Sequence, residues 1–414
     1  MVKKVTFPAI TVAIFLLISF GIISIGHNLS NKPLLYLDYK SYGLDYADFF
    51  KASERIISGQ SPYDISTNRY VTTPIPAIVN LVFTPLGFDN ARILFYFLIP
   101  ISLAIGYMLV TSMFGFTELD KNFILMAGLI SLLFSYPFYF LVQRENIDGW
   151  VFFFLCLGLY WLTKPKKELV SGLFFSLSIA FKIYPILIVL PILLNKKWRL
   201  LFWIGLWLTL WGVITLFWFS DFQTALSMRS QSLFRFDENG SIVATVSFVA
   251  LLVNSTGVPI AVSAVKYSPV IASVVFGTLF SFILIVDYKL SKIDQLEISS
   301  YIMYLPFMIA LPQLVYHYSL IICLILIPTI CHLWEINENK QQRLFIFFIS
   351  IGIALSQWQA IATYNLTSNL LSHAIPGLGL LIIIVSTTAY KVYDLFLKQQ
   401  KMNMLEVASY SNRT

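Results

Sequence analysis

The sequence predicts an all-α integral membrane protein, and three observations carry that prediction. Of the 414 residues, 58% are hydrophobic and only 12% are charged, whereas a soluble domain carries about 25% charged residues. The apolar runs are about twenty residues long and do not alternate, which is typical of membrane helices and not of barrel strands. Short clusters of lysine and arginine separate the runs, as in the loops of multi-pass membrane proteins.

The apolar runs predict about twelve membrane-spanning segments, with ends good to a few residues. They cover about residues 8–26, 91–113, 122–142, 148–163, 169–181, 184–194, 199–219, 269–288, 300–312, 317–333, 343–362 and 371–394. We interpret the first run as an uncleaved span, because it is long for a signal peptide and no small-residue cleavage site follows. Residues 1–400 would form a single transmembrane domain, and residues 401–414 a short cytosolic tail.

The basic clusters predict which side each loop faces, because lysine and arginine concentrate in cytosolic loops. The clusters are Lys3/Lys4, Lys164/Lys166/Lys167, Lys196/Lys197/Arg199, Lys289/Lys292, Lys340/Arg343 and Lys398/Lys401. Both termini are then cytosolic. Residues 169–194 must enter the membrane and return, as two short helices that meet near Pro185, where proline ends or begins a helix. A second short pair is expected to meet near residues 312–317.

The first outer loop, residues 27–90, is expected to contain surface-lying helices. Residues 48–58 have an apolar face, made by Phe49, Ala52, Ile56 and Ile57, opposite a polar face. Gly59 follows and is a common helix stop. A second surface helix is predicted over residues 72–87, made irregular by three prolines.

Asp45 and Asp48 in this loop are the first candidates for catalysis. A carboxylate at a membrane face can act as the general base that removes a proton from a hydroxyl group. The structural alternative is a helix cap or a first-turn acid, roles that aspartate often has. That alternative suits Asp48 better, because Asp45 would precede the helix.

A polar segment between two apolar runs, residues 143–148, is predicted to reach the same outer face. Arg144 matches the geometry of a phosphate with two parallel hydrogen bonds, and Asn146 and Asp148 can hold sugar hydroxyls. Lys182 stands among apolar residues, so its ammonium must either extend to the interface or bind an anion. The alternative for residues 143–148 is an ordinary solvated loop. The alternative for Lys182 is simple snorkelling, in which its side chain extends to the interface.

Four further residues are candidates for substrate contact. His317, between two tyrosines, would contact a phosphate or an acceptor, or else pack as a neutral group. Tyr184, Arg229 and Arg235 would line a sugar or acceptor site. No zinc spacing and no phosphate-cradling glycine loop occurs, and the three cysteines lie in apolar runs. The net charge of +7 reflects topology rather than nucleic-acid binding, because the basic residues fall between apolar runs.

Several of these elements follow one another in an order that resembles a known family. The elements are Asp45-Tyr46-x-x-Phe49-x-x-Ala52, Gly59-x-Ser61-Pro62-Tyr63, Arg144-x-Asn146-x-Asp148 and Lys182-Ile183-Tyr184-Pro185. Together they are similar to the polyprenol-phosphate-sugar-dependent glycosyltransferases of the GT-C fold, most of all to glycosyltransferase family 87. They also resemble the catalytic subunit of the first GPI mannosyltransferase.

The resemblance implies a GT-C helical bundle that transfers a hexose, most commonly mannose, with inversion. The donor would be a polyprenyl-phosphate sugar and the acceptor a glycolipid or glycan, on the outer face of the plasma membrane within the cell envelope. Asp45 would be the general base, while Arg144, Lys182 and, by region only, His317 would lie at the donor phosphate. The position that Asp48 occupies is often not acidic in other members of the family. A Mg²⁺ or Mn²⁺ bridge is conceivable, although a monophosphate donor needs it less.

Two other functions remain open at this point. A transporter or flippase of a lipid-linked saccharide would also have broken helices, but it predicts a path open alternately to both faces. A polymerase or ligase of lipid-linked glycans would use a diphosphate substrate and a late outer loop with paired arginines, such as Arg229 and Arg235.

Overall fold

A computed structural model describes residues 7–28, 44–64, 70, 72–232, 262–294, 296–310, 317–357 and 366–411. All the regular structure in those residues is helical. The α-helices are α1 (Phe7–Asn28), α2 (Leu44–Ile57), α3 (Ile75–Asn80), α4 (Phe88–Thr111), α5 (Glu118–Leu133), α6 (Tyr136–Arg144), α7 (Asp148–Leu162), α8 (Glu168–Phe181), α9 (Val189–Leu194), α10 (Trp198–Leu216), α11 (Phe219–Ser232), α12 (Val262–Ile293), α13 (Ile298–Ile302), α14 (Leu305–Ala310), α15 (Leu326–Ile336), α16 (Lys340–Ser356) and α17 (Leu366–Ser411). Short 3-10 helices occupy Thr84–Leu86, Tyr184–Ile188 and His317–Ile325.

The helices identify a multi-pass membrane protein, with fewer full-length spans than the twelve predicted. Among the described residues, 5 helices are long and apolar enough to cross a bilayer, or 6 if the bent pair α5–α6 counts as one span. Each of the twelve predicted intervals overlaps a helix. Several of these helices have only 10–17 residues, which is short for a hydrocarbon core about 30 Å thick. The count of twelve is therefore not confirmed.

The predicted break near Pro185 is confirmed. Helix α8 ends at Phe181, and Lys182 has an extended backbone with φ −144° and ψ 136°. The 3-10 helix that begins at Tyr184 then leads into α9. Proline restricts the residue before it and cannot donate to the preceding turn, so α8 cannot continue through this point. The second predicted junction falls on residues 311–316, which lie outside the described residues.

Helix α2 begins earlier than predicted, and its buried face is centred nearer its start. It already includes Asp45, whereas the sequence predicted a helix that starts at Asp48. Its buried face is centred on Tyr46, Phe49 and Phe50, while Ile57 is 63% exposed. The core lies under the first half of the helix, where Tyr46 packs on Phe95 of α4 with ring centres 4.6 Å apart. Gly59, with φ 71°, ends the segment as predicted.

The predicted helix over residues 72–87 is irregular, as its prolines suggest. It consists of the six-residue helix α3 and the 3-10 turn Thr84–Leu86. The hydroxyl of Thr73 donates a hydrogen bond to the carbonyl of Ala180 at the end of α8. This contact brings the segment between α2 and α4 beside the α8–α9 break and so assembles the candidate site from distant parts of the chain.

Candidate active site

The turn between α6 and α7 positions the centre of the site. Helix α6 ends at Arg144, and Glu145 adopts a left-handed conformation with φ 52° and ψ 49°. This reverses the chain, so that α7 begins at Asp148. The side-chain oxygen of Asn146 accepts a hydrogen bond of 2.9 Å from the backbone N–H of Asp148. The turn thereby directs three polar side chains toward α2 and the α8–α9 break.

Asp45 of α2 binds both polar groups on its side of the turn. Its Oδ1 accepts a hydrogen bond of 2.8 Å from Nη2 of Arg144, and its Oδ2 accepts one from the amide of Asn146. The Asp45 side chain keeps 16% of its surface exposed. The guanidinium of Arg144 also lies 5.9 Å from the ring centre of Phe140, a cation–π distance. Two donors thus hold a partly accessible carboxylate in one orientation.

Asp148 lies on the other side of the turn and is fully buried. The hydroxyl of Tyr184 donates to its Oδ1, and Ser319 donates to its Oδ2 at 3.4 Å. The ammonium of Lys182 lies 3.9 Å from the same Oδ2. A chain of polar contacts therefore runs from Asp45 through Asn146 and Asp148 to Lys182.

Glu145 and Arg92 form an ion pair behind the turn that the sequence did not reveal. Nε of Arg92 donates to Oε1 of Glu145 at 2.8 Å, and the Glu145 side chain is almost completely buried. Burial raises the pKa of Glu145 to about 7, the Arg92 charge opposes that rise, and the Asp45 charge adds to it. The available signal was a lone arginine near the start of an apolar helix, which needs an acidic partner.

The predicted site residues fall into three groups. Those in the polar chain are Asp45, Arg144, Asn146, Asp148, Lys182 and Tyr184. Asp48 lies one turn along α2 and lines a neighbouring cleft. His317 begins the 3-10 helix that carries Ser319, and Arg229 lies in α11; neither side chain is among those described. Arg235 lies outside the described residues. Ser319, like Glu145 and Arg92, was missed.

Comparison with known proteins identifies the family of the chain. The model of glycosyltransferase family 87 matches residues 70–312, which is more than half of the chain. The chain belongs to glycosyltransferase family 87. The matched residues contain the α6–α7 turn and the α8–α9 break, whereas Asp45 precedes them.

Curated relatives of this family 87 chain are mannosyltransferases. It is 34% identical over 158 residues to GPI mannosyltransferase 1 of Kluyveromyces lactis, covering 38% of the chain and 37% of that protein. The figures are 29% over 164 residues, covering 38% of each, for the Debaryomyces hansenii protein. For the Dictyostelium discoideum protein they are 32% over 156 residues, covering 36% and 33%. The matches thus span little more than a third of these relatives.

The family 87 transferase has no obvious cluster of metal ligands among its described residues, where no three His, Cys, Asp or Glu side chains stand close enough to share an ion. The two carboxylates of the polar chain each contact a basic side chain, Asp45 with Arg144 and Asp148 with Lys182. Mg²⁺ is usually bound through carboxylates and substrate phosphates. Carboxylates already neutralised by cations do not fit such an ion.

Proposed function

We propose that this transferase moves mannose from a polyprenyl-phosphate donor onto a hydroxyl group of a glycolipid or glycan acceptor, with inversion. The observation that carries the proposal is the partly accessible carboxylate of Asp45, held by Arg144 and Asn146. It stands at one end of a polar chain whose other end is Lys182. A base and a phosphate-binding cation are thus joined in a single network, as a transfer from a sugar phosphate requires.

Asp45 acts as the general base in this proposal. Within the described part of the chain, each of its oxygens accepts one hydrogen bond, and a carboxylate oxygen has room for a second. An acceptor hydroxyl can therefore donate to Asp45 while Arg144 and Asn146 keep the carboxylate oriented. As the hydroxyl oxygen attacks the anomeric carbon, its proton passes to Asp45. The bond from that carbon to the phosphate oxygen breaks on the opposite face.

Lys182 stabilises the leaving phosphate, with Arg144 and His317 as further cationic or hydrogen-bonding groups. The Lys182 ammonium lies 3.9 Å from Oδ2 of Asp148, and a phosphate that gains negative charge in the transition state would attract the same cation. The next residue, Ile183, is 76% exposed, and Ile186 is also exposed. This apolar surface beside the cation suits the prenyl chain of a lipid-linked donor. Asn146, Asp148 and Tyr184 would contact sugar hydroxyls.

The remaining features of the proposal concern architecture and location. The chain forms a GT-C bundle of about twelve helical segments in the plasma membrane, with both termini cytosolic and the site on the outer face. The first outer loop supplies Asp45, and Arg229 and Arg235 contribute to the acceptor side. The basic loops support this orientation, and the short helices α8 and α9 support re-entry.

The base is tested with membranes that contain the wild type or one of two variants, Asp45→Asn and Asp48→Asn. Radiolabelled polyprenyl-phosphate-mannose is supplied, and label is followed into lipid and polymer fractions. Asp45→Asn should lower transfer by about 10²-fold or more, while Asp48→Asn should lower it far less, because Asp48 would not take the proton. Anomeric NMR of the product should show the configuration opposite to that of the donor. Transfer by a folded Asp45→Asn variant at the wild-type rate would move the base elsewhere.

A further inference from the structure

A polar cleft of about 300 Å³ lies beside α2. Helix α2 forms one wall, and the segment that follows Gly59 forms another. Its lining includes Asp48, Lys51, Gln60, Asp64 and Tyr70. Its volume is at the lower end of the range for small-ligand sites. It has room for one or two sugar rings rather than for a lipid chain.

The position of the cleft follows from the spacing of residues on α2. Asp48, Ala52 and Arg55 line the cleft, and they recur at intervals of four and three residues, which places them on one face of the helix. Asp45 is three residues before Asp48 and lies at the end of the same stripe. The lining therefore begins about one helical turn from Asp45.

Two of the lining side chains fix the shape of the cleft. Arg55 donates to the carbonyl of Ser61 at 2.6 Å and to that of Tyr63 at 3.4 Å. The Tyr70 hydroxyl donates to the carbonyl of Thr73 at 2.7 Å and accepts from the N–H of Ala77 at 3.2 Å. Because these polar atoms already have hydrogen-bond partners, Arg55 stabilises one wall of the cleft, and the Tyr70 ring is held in place.

The rest of the lining suits a neutral ligand rich in hydroxyl groups. The carboxylate of Glu54 can accept hydrogen bonds, and the amide of Gln60 and the ammonium of Lys51 can donate them, while Asp48 and Asp64 add acidic groups to the lining. Acidic and basic groups are nearly balanced, so the cleft has no strong preference for a phosphate. The Tyr70 ring packs on Phe49 and Tyr63 and so forms a rigid edge of the cleft.

We infer that this cleft binds the glycan headgroup of the acceptor and presents its hydroxyl to Asp45. The inference rests on the proposed function, to which it adds a site for the second substrate. Lys182 and Tyr184 contact Asp148 on the other side of the α6–α7 turn. Acceptor and donor would thus reach the reaction centre from different sides, as an attack opposite to the leaving phosphate requires.

Binding is measured by saturation-transfer NMR with methyl α-mannoside and the full-length protein in lipid nanodiscs, because a glycoside detergent would compete for the cleft. The blocking variant is Ser58→Trp, since Ser58 lines the cleft. The matched control is Ile57→Trp, because Ile57 is exposed on the same helix and is not part of the lining. We expect millimolar binding to the wild type and the control, weakened at least tenfold by Ser58→Trp. The inference would be overturned if the wild type did not bind the mannoside, or if Ser58→Trp bound it as well as the wild type does.

Kinetics separate this inference from the proposed function. Gln60→Ala and Lys51→Ala should raise the KM for a glycan acceptor about fivefold or more and leave the KM for the donor unchanged. If these variants transfer mannose with an unchanged KM for the acceptor, the cleft is not the acceptor site, and the proposed transferase activity still stands. The wild type could instead bind the mannoside, lose that binding on Ser58→Trp substitution, and transfer nothing from any polyprenyl-phosphate sugar. This result would contradict the proposed donor and leave the inference about the cleft intact. Soluble glycans and glycolipids are compared as acceptors to identify the source of the headgroup.

Discussion

Glu145 is the residue on which the geometry of the site depends most. Its left-handed backbone separates Arg144 from Asn146 and turns both toward Asp45. A residue other than glycine pays about 1–2 kcal/mol for this conformation. The ion pair with Arg92 ties the Glu145 side chain to α4 and so helps to hold the turn.

The titration of Glu145 predicts a pH dependence of stability. Burial raises its folded-state pKa from 4.5 to about 7. Between these values the folded protein retains a proton that the unfolded chain releases. Stability therefore falls as pH rises through this window, by roughly 3 kcal/mol in all, and stays lower above pH 7. Glu145→Gln should remove this loss, which thermal denaturation at pH 5 and pH 8 would show as a smaller fall in Tm.

Two further variants make that measurement specific. Glu118→Gln changes an exposed glutamate and should leave the pH dependence of Tm as it is in the wild type. Arg92→Gln removes the charge that opposes the rise in the pKa of Glu145, so the fall in Tm should extend to higher pH. An identical pH dependence in the wild type and Glu145→Gln would show that another group is responsible.

At the scale of single helices, the sequence revealed one break and concealed another. Pro185 predicted the end of α8, because proline restricts the residue before it and cannot donate a backbone hydrogen bond. The 63° bend between α5 and α6 was hidden inside one apolar run, predicted as residues 122–142. Its signal was present, since Ser135 caps α6 through the N–H of Phe138 and Pro137 lies in the first turn. Serine followed by proline is a helix start, but hydropathy alone does not register it.

Close packing of α7 against α8 gives a prediction about Gly158. A methyl group on Gly158 would lie 2.6 Å from Cδ1 of Phe175, and that ring is fully buried. Gly158→Ala should therefore destabilise the protein by about 1–3 kcal/mol through overpacking. Thermal unfolding of the purified protein measures the change.

Gly205 of α10 supplies the control for this packing. A methyl group there meets open space, so Gly205→Ala should leave Tm unchanged or raise it slightly, since alanine favours helix. Equal behaviour of the two variants would mean that α7 and α8 can separate to admit the methyl group.

At the scale of the whole molecule, the candidate site shows which contacts a sequence can reveal. Asp45 and Arg144 are 99 positions apart, and no periodicity links them. Only the basic loops, which placed both on one face, and the resemblance to family 87 predicted that they meet. The partners Arg92, Glu145 and Ser319 were missed, because each depends on how distant helices pack and none belongs to a motif.

A buried ion pair joins the last helix to the rest of the bundle. Lys391 of α17 contacts Oδ2 of Asp287 in α12, and Tyr304 donates to the same oxygen at 2.6 Å. Lys391→Met should cost about 3–5 kcal/mol, because it leaves the buried Asp287 charge without its cation. The double variant Asp287→Leu/Lys391→Met should recover most of this loss. Tm and the yield of folded protein report both. Lys121→Met, at an exposed pair, should change stability by less than about 1 kcal/mol.

Membrane orientation decides whether the site can use an outer acceptor, and two exposed positions test it. Asp89 lies at the start of α4, and Lys167 lies in the turn between α7 and α8. Three segments separate them: α4, the bent pair α5–α6, and α7. With 15 residues, α7 is about 22 Å long, short for a core about 30 Å thick. If it nevertheless completes the crossing, Asp89 and Lys167 face opposite sides.

Cysteine labelling in intact cells distinguishes the arrangements. Cys156 and Cys323 are buried, and Cys331→Ser removes the third native thiol. An impermeant maleimide should label Asp89→Cys in intact cells and Lys167→Cys only after lysis, because lysine clusters such as the one at residues 164–167 concentrate in cytosolic loops. The reverse pattern would place the site on the cytosolic face and exclude an outer acceptor. Labelling of both in intact cells would mean that α7 re-enters without crossing, so that the polar chain from Asp45 to Lys182 would open into a cavity within the membrane.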